Sequence, residues 1–263
     1  MKKFVALLLA VVMVAGMTAC GAKKAASASD SDMAYVKEKG KLVVGITDFA
    51  PMDYQENGQW VGFDADMAKA FAESLGVECQ FVEINWDTKA MELDSKNIDC
   101  VWNGMTLTNE VTSSMACSNA YCNNAQVIVV PADVAGQYAD AESCKDLTFA
   151  VEAGSAGEAA VAELGYNYIS VADQASALME VSSGTSDAAV IDLLMAGAMI
   201  GEGTSYANLT HTAELTAEEY GVGFRKGSDL AAALNEFFAA AYADGSMAAC
   251  AKTYGVQDAL IAQ

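Results

Sequence analysis

The sequence predicts an α/β protein built from two similar lobes. Two observations predict it: a strand–helix–strand–helix–strand pattern near the N-terminus, and its return about a hundred residues later. A third sets the size, since two such units in some 230 residues fit two lobes better than one long sheet. Alternation of this kind gives parallel strands covered by helices.

Starting at Lys41, LVVGI is a short apolar run bounded by polar residues, as a buried parallel strand requires. DADMAKAFAESLG reads as a helix, with Asp64 as N-cap, an apolar face of Met67, Ala70, Phe71 and Leu75, and Gly76 as its end. VECQFVEI is strand-like, DTKAMELDS a short helix and IDCVWNG a third strand. The second unit reads DLTFAVEAG, SAGEAAVAELG, YNYISV, ADQASALMEVSSG and DAAVID in the same order. Ligands of open α/β sheets bind beyond the carboxyl ends of the strands. The segments emerging there are TDFAP, INWD, NGMTLT, EAGSAG and IDLL.

The first residues have another character. Lys2 and Lys3 precede an apolar run, Phe4 to Ala15, and small residues lead to Cys20, the order of a secretory signal. MTACG resembles the lipobox of bacterial lipoproteins, which implies a signal peptide over 1–20 and a lipid anchor at Cys20. Residues 21–32, GAKKAASASDSD, read as a flexible tether. No later run is long enough to span a bilayer. The expected location is therefore the outer face of the cytoplasmic membrane.

Every acidic residue follows Cys20, so the remainder carries 12 basic and 35 acidic groups, a formal −23. That balance argues against nucleic acid as a partner. No CxxC pair is present and His211 is the only histidine, so neither a zinc site nor a Cys–His nucleophile is expected, and no cofactor is implied. GSAG opens a helix but lacks the Gly-Lys of a P-loop. Cys79 and Cys100 read as small core residues, and Cys117 and Cys122 stand close enough to pair.

GITDFAPMDY, WVGFDADMAKAFAESLGV, IDCVWNGMTLTNE and YGVGFRKGSDLAAALNEFFAAAYADGSM resemble the solute-binding proteins of polar amino-acid ABC transporters, from about Lys41 to about Gly255. The resemblance implies a type II periplasmic-binding-protein fold whose two lobes are joined by two crossover strands, here near Asn123 to Val127 and Thr212 to Gly221. Lobe one would be 33–124 plus 220–263, and lobe two 125–219. The implied function is that of a monomeric receptor delivering an amino acid to an ABC permease. A domain presenting ligand to a membrane sensor would look the same. Some proteins of this fold resemble dehydratases of prephenate-like anions, for which this chain lacks a clamping arginine.

By the same resemblance, Phe49 and Trp86 flank the ligand and Asp48 lies near a first-lobe carboxylate. Asn103, Gly104 and Thr106 hold an α-carboxylate, and Asp192 takes the α-ammonium; as a plain helix N-cap, Asp192 would have a structural role instead. Glu152 falls two residues before Gly154, a second-lobe side-chain contact. Without an arginine, any ligand carboxylate must rely on backbone amides, Thr106, Ser155 and the start of a helix. Two departures stand out. The family's clamping arginine falls at Val111, and a ligand-contacting threonine falls at Ala156. Arg225, the only arginine, lies in the GVGFRKG strand away from this site; Lys89, one turn beyond Trp86, is the nearest candidate cation, though it reads better as a solvated helix lysine. Asp48, Glu152 and Asp192 beside Phe49, Trp86 and Trp102 describe a pocket richer in anion and aromatic face than in cation. The expected ligand is a basic amino acid or related amine.

Overall fold

The computed structural model describes residues 31–263. The signal peptide and Cys20 anchor expected from the sequence lie outside the described residues. The expected tether stops short of residue 32: Ser31 caps α1 (Asp32–Lys39) by accepting from the Ala34 N–H, and its hydroxyl donates to Asp229.

The first unit follows. Strand β1 (Lys41–Ile46) leads through the hairpin β2 (Tyr54–Glu56) and β3 (Gln59–Val61) to α2 (Phe63–Leu75), β4 (Glu78–Glu83), α3 (Lys89–Asp94) and β5 (Cys100–Thr106). Strand β1 pairs in parallel with both β4 and β5. Helix α2 buries Phe63, Met67 and Phe71 and ends at Gly76, which is left-handed at φ +75°. Its start differs from expectation. Gly62 occupies the N-cap, and Asp64 sits fully buried inside the first turn. Asp64 accepts from Gly104 N–H at 2.7 Å and from Tyr121 hydroxyl at 2.7 Å, so it ties the helix to the sheet instead of capping it. The short helix expected over 87–95 divides into a 3-10 turn, Trp86–Thr88, followed by α3.

After α4 (Asn109–Ser114) and β6 (Ala116–Cys117), β7 (Cys122–Pro131) enters the second unit. That unit comprises β8 (Thr148–Glu152), α5 (Ala156–Leu164), β9 (Asn167–Val171), α6 (Gln174–Ser183), β10 (Ala188–Asp192) and α7 (Leu193–Met199). Strand β8 pairs in parallel with β9 and β10. Strand β11 (Leu209–Phe224) returns to the first unit, and α8 (Leu230–Ala243) and α9 (Ser246–Thr253) close on it.

The two βαβαβ units are joined by β7 and β11, which run antiparallel over most of their length, Leu209 against Pro131 and Tyr220 against Cys122. The sheet order is β4-β1-β5-β11-β7-β10-β8-β9, so hydrogen bonding continues from one lobe into the other through these two long strands. The fold is thus two α/β lobes, as the alternating pattern predicts, on the two-stranded bridge that the family resemblance implies. Apolar residues fill both faces of each half-sheet: Phe71, Trp102 and Phe238 on one side of the first, Leu93, Ile98 and Val101 on the other, with Phe149, Val161 and Val190 in the second. The described cysteines are all free, Cys117 and Cys122 included.

Candidate functional site

The carboxyl ends of the strands open on one cavity of about 660 Å³, within the range of small-molecule sites. One wall comes from the first unit: Phe49 after β1, Trp86 and Lys89 around the start of α3, Asn103 to Thr106 at the end of β5, and Val111 in α4. The facing wall comes from the second: Glu152 ending β8, Ser155 and Ala156 opening α5, Gln174 opening α6, and Asp192 ending β10.

Asp192 is 3 % exposed and its carboxylate is crowded with donors. Asn124 Nδ2 and Gln174 Nε2 donate to it, as do Gln126 Nε2 at 3.0 Å and the Tyr220 hydroxyl at 2.7 Å. It stands at the N-cap position of α7, yet its side chain makes no capping bond. Burial first and then the charge of Glu218 push its carboxyl up to about 8, against the pull of the Tyr220 and Gln174 hydrogen bonds. Glu152, equally buried, has no hydrogen-bond partner at Oε1. Burial and then the Asp192 charge raise it to about 8. An unpaired buried carboxylate is costly, so these two carboxyls hold their protons at neutral pH, and a cation entering the cavity would favour the charged form.

Phe49 and Trp86 are both buried in the wall. Phe49 lies against Gly104, where an added Cβ would come 2.3 Å from its ring, and packs edge-on to Tyr220 with centroids 6.3 Å apart. The donors at the end of β5 are engaged within the protein. Gly104 N–H goes to Asp64, as above. Asn103 Oδ1 accepts from the Thr47 N–H and hydroxyl at 3.0 and 2.8 Å, while its Nδ2 donates to Thr47 O and Asp53 Oδ2 at 3.1 and 2.8 Å. The Thr106 hydroxyl donates to Glu218 at 2.9 Å. Ser155 caps α5, its Oγ accepting from Glu158 N–H at 3.1 Å.

Several side chains lie elsewhere than the sequence suggests. Asp48 is exposed and does not line the cavity. Trp102 is also absent from it: strand alternation turns its ring inward, 5.5 Å from Phe238. Lys89 is not a solvated lysine. Its Nζ donates to Trp86 O at 3.1 Å and, across the cavity, to Gly154 O at 2.9 Å, lying 4.9 Å from the centre of the Trp86 ring. Burial lowers its pKa, against the opposing pull of Glu152 and Glu110. Arg225 is occupied far from the cavity by Asp32, Asp99 and the carbonyls of Leu93 and Ile98. Val111 does line the cavity, so hydrocarbon stands where the resemblance places an arginine.

Sequence reading missed Gln126, Gln174 and Tyr168 as lining residues. One signal was present: Asn124 and Gln126 stand two apart at the start of a strand that is apolar from Val127 to Val130, a spacing that aims two amides to the same side. Among the described residues, no cluster of three His, Cys, Asp or Glu is arranged to hold a metal ion, and no helix is long and apolar enough to cross a membrane.

The sequence model of the bacterial extracellular solute-binding proteins, family 3, matches residues 42–257. The arginine-binding extracellular protein ArtP of Bacillus subtilis (strain 168) is 30 % identical over 246 residues, covering 90 % of this chain and 91 % of that protein. The L-cystine-binding protein TcyJ of Escherichia coli (strain K12) is 28 % identical over 251 residues, covering 94 % and 92 %. Among solved structures, the ancestral amino acid-binding protein AncCDT-1, a precursor of cyclohexadienyl dehydratase, superposes with a TM-score of 0.78 at 30 % identity, over 85 % of this chain and 99 % of that one. ArtP and TcyJ are named for binding, not for catalysis.

Proposed function

The chain belongs to the bacterial extracellular solute-binding proteins, family 3, and on that premise we propose that it is the receptor of an ABC importer. It is held at the outer face of the cytoplasmic membrane by lipid on Cys20, acts as a monomer, and passes an amine-bearing solute, a basic amino acid or a relative of one, to a membrane permease. Lobe one (33–124 plus 220–263) and lobe two (125–219) close on the ligand by bending of the two connecting strands. Asp192 receives an ammonium group, while Phe49 and Trp86 flank the ligand's carbon chain.

One observation carries the cationic reading: Glu152 and Asp192 are buried together at the cavity with no arginine near them and Glu152 Oε1 unpaired. The similarity to an arginine-binding relative points the same way, although a cystine-binding relative is nearly as similar. The test is a thermal-shift screen against amino acids and amines, since a ligand that binds the native state raises the melting point by mass action. Basic compounds should give the large shifts, and Asp192→Ala should abolish them. Strong shifts confined to glutamate, aspartate or neutral amino acids would defeat the reading.

A further inference from the structure

An α-amino acid brings a carboxylate, and a site for one needs donors free to meet it. Gly104 N–H, Asn103 Nδ2 and the Thr106 hydroxyl each donate to a protein acceptor, and Asn103 Oδ1 is itself an acceptor, taken by Thr47. Val111 offers only methyl groups. Lys89, the one basic side chain lining the cavity among the described residues, divides its protons between two main-chain carbonyls. Acceptors, by contrast, are in excess: Asp87, Glu110, Glu152, Glu158 and Asp192 all border the same space. Glu158 is itself satisfied by Gly154 N–H and the Ser170 hydroxyl, and Asp192 already accepts from four side chains, whereas Glu152 Oε1 is buried and has no partner. A carboxylate brought here would shed water to face a wall of acidic groups with no basic partner free, while an ammonium or guanidinium would displace the proton from Glu152 and be paired by it.

We infer that the cleft selects a small organic cation lacking a carboxylate, a linear diamine or guanidino-amine, over the basic amino acid of the same skeleton. This rests on the reading of the cleft as a cation receptor and narrows it. One positive group meets Glu152 and Asp192 at the floor, and the methylene chain runs out between the Phe49 and Trp86 rings. A second positive group faces the carboxylates at the Glu110 side.

Titration calorimetry on the full chain with matched pairs, agmatine against arginine and cadaverine against lysine, decides the matter. The amine of at least one pair should bind at least tenfold tighter than its amino acid. An amino acid that equals or exceeds its amine in both pairs would overturn the inference and leave the cationic reading standing. If none of the four binds, both fall. Val111→Arg restores a carboxylate partner and should shrink the amine preference at least fivefold; an unchanged ratio also counts against the inference. Glu152→Gln should weaken the amine at least tenfold. Should either variant fail to fold, the wild-type pairs still decide.

Discussion

Lys89 Nζ donates to the carbonyl oxygen of Gly154 at 2.9 Å, so a side chain of the first unit is bonded to the main chain of the second directly across the cavity. The approach is tight on both sides. A Cβ at Gly154 would stand 2.6 Å from Asp87 Cα, which is why a residue without one occupies this left-handed position, φ +72°. A charge-assisted hydrogen bond contributes about 1.5–3 kcal/mol, and partial exposure of this ammonium places it near the lower end. Lys89→Met should therefore shift the ligand-free protein towards an open form, by about tenfold in the closed-to-open ratio. Small-angle X-ray scattering without ligand measures this as a larger radius of gyration. An unchanged radius would show that the contact does not hold the lobes together.

Glu152 and Asp192 predict the pH dependence. Burial raises both carboxyls to about 8, from 4.5 and 3.8. A carboxyl whose folded pKa exceeds its unfolded one keeps, in the folded state, a proton that the unfolded chain has released. That contribution is complete below about pH 4 and is lost as pH rises through about 8. The buried Asp64, raised to about 7 by burial, acts in the same sense. The melting temperature of the ligand-free protein should thus fall between about pH 5 and pH 8.5, by roughly 4–8 °C for each ~2 kcal/mol lost. Glu152→Gln should flatten part of that slope. Melts that rise over this interval would contradict the buried, unpaired placement of Glu152.

Much of this architecture was legible because periodicity reports burial. The strands at LVVGI and DAAVID and the helices ending at Gly76, Gly165 and Gly184 follow from apolar spacing and glycine stops. The site was legible only in part, for a different reason. Phe49, Trp86, Glu152 and Asp192 come together because each lies just past or at the end of a strand or beside it, which position in the chain reveals. Lys89 was legible as the nearest cation but not as a half-buried one. Its environment is set by Gly154, 65 residues away, and by a 3-10 turn that rotates the start of α3. Trp102 failed oppositely: one residue before Asn103, it points to the other face of the strand, where strand alternation outweighs proximity in sequence.

Arg225 has a purely structural prediction. Its guanidinium meets Asp32 at 3.0 and 3.1 Å, Asp99 at 3.3 Å and the carbonyls of Leu93 and Ile98 at 3.2 and 2.7 Å, tying α1, α3 and the approach to β5 together behind the sheet. Asp99 is fully buried and has Lys39 Nζ and Val43 N–H besides. Removing one member of such a network leaves charge buried without its partner, at a cost of about 3–5 kcal/mol. Arg225→Met should lower the urea midpoint accordingly, and Arg225→Lys should rescue little, since an ammonium cannot serve all four acceptors. Ligand preference among the folded molecules should not change. A change in preference would connect this residue to the cavity after all.

Gly104 joins fold and site at a single residue. Its φ of +54° is left-handed, Phe49 Cε1 lies 2.3 Å from where a Cβ would be, and its N–H holds the buried Asp64. An alanine there meets backbone strain and an immovable ring together, because Phe49 is itself packed against Tyr220. Gly104→Ala should destabilise the protein by about 1–3 kcal/mol, read from urea unfolding. It should also weaken ligand binding, because the ring can yield only into the cavity or against Tyr220, whose hydroxyl donates to Asp192. Loss of stability with unaltered affinity would mean that the ring moves away from the ligand, so that Phe49 walls the cavity without gripping what enters it.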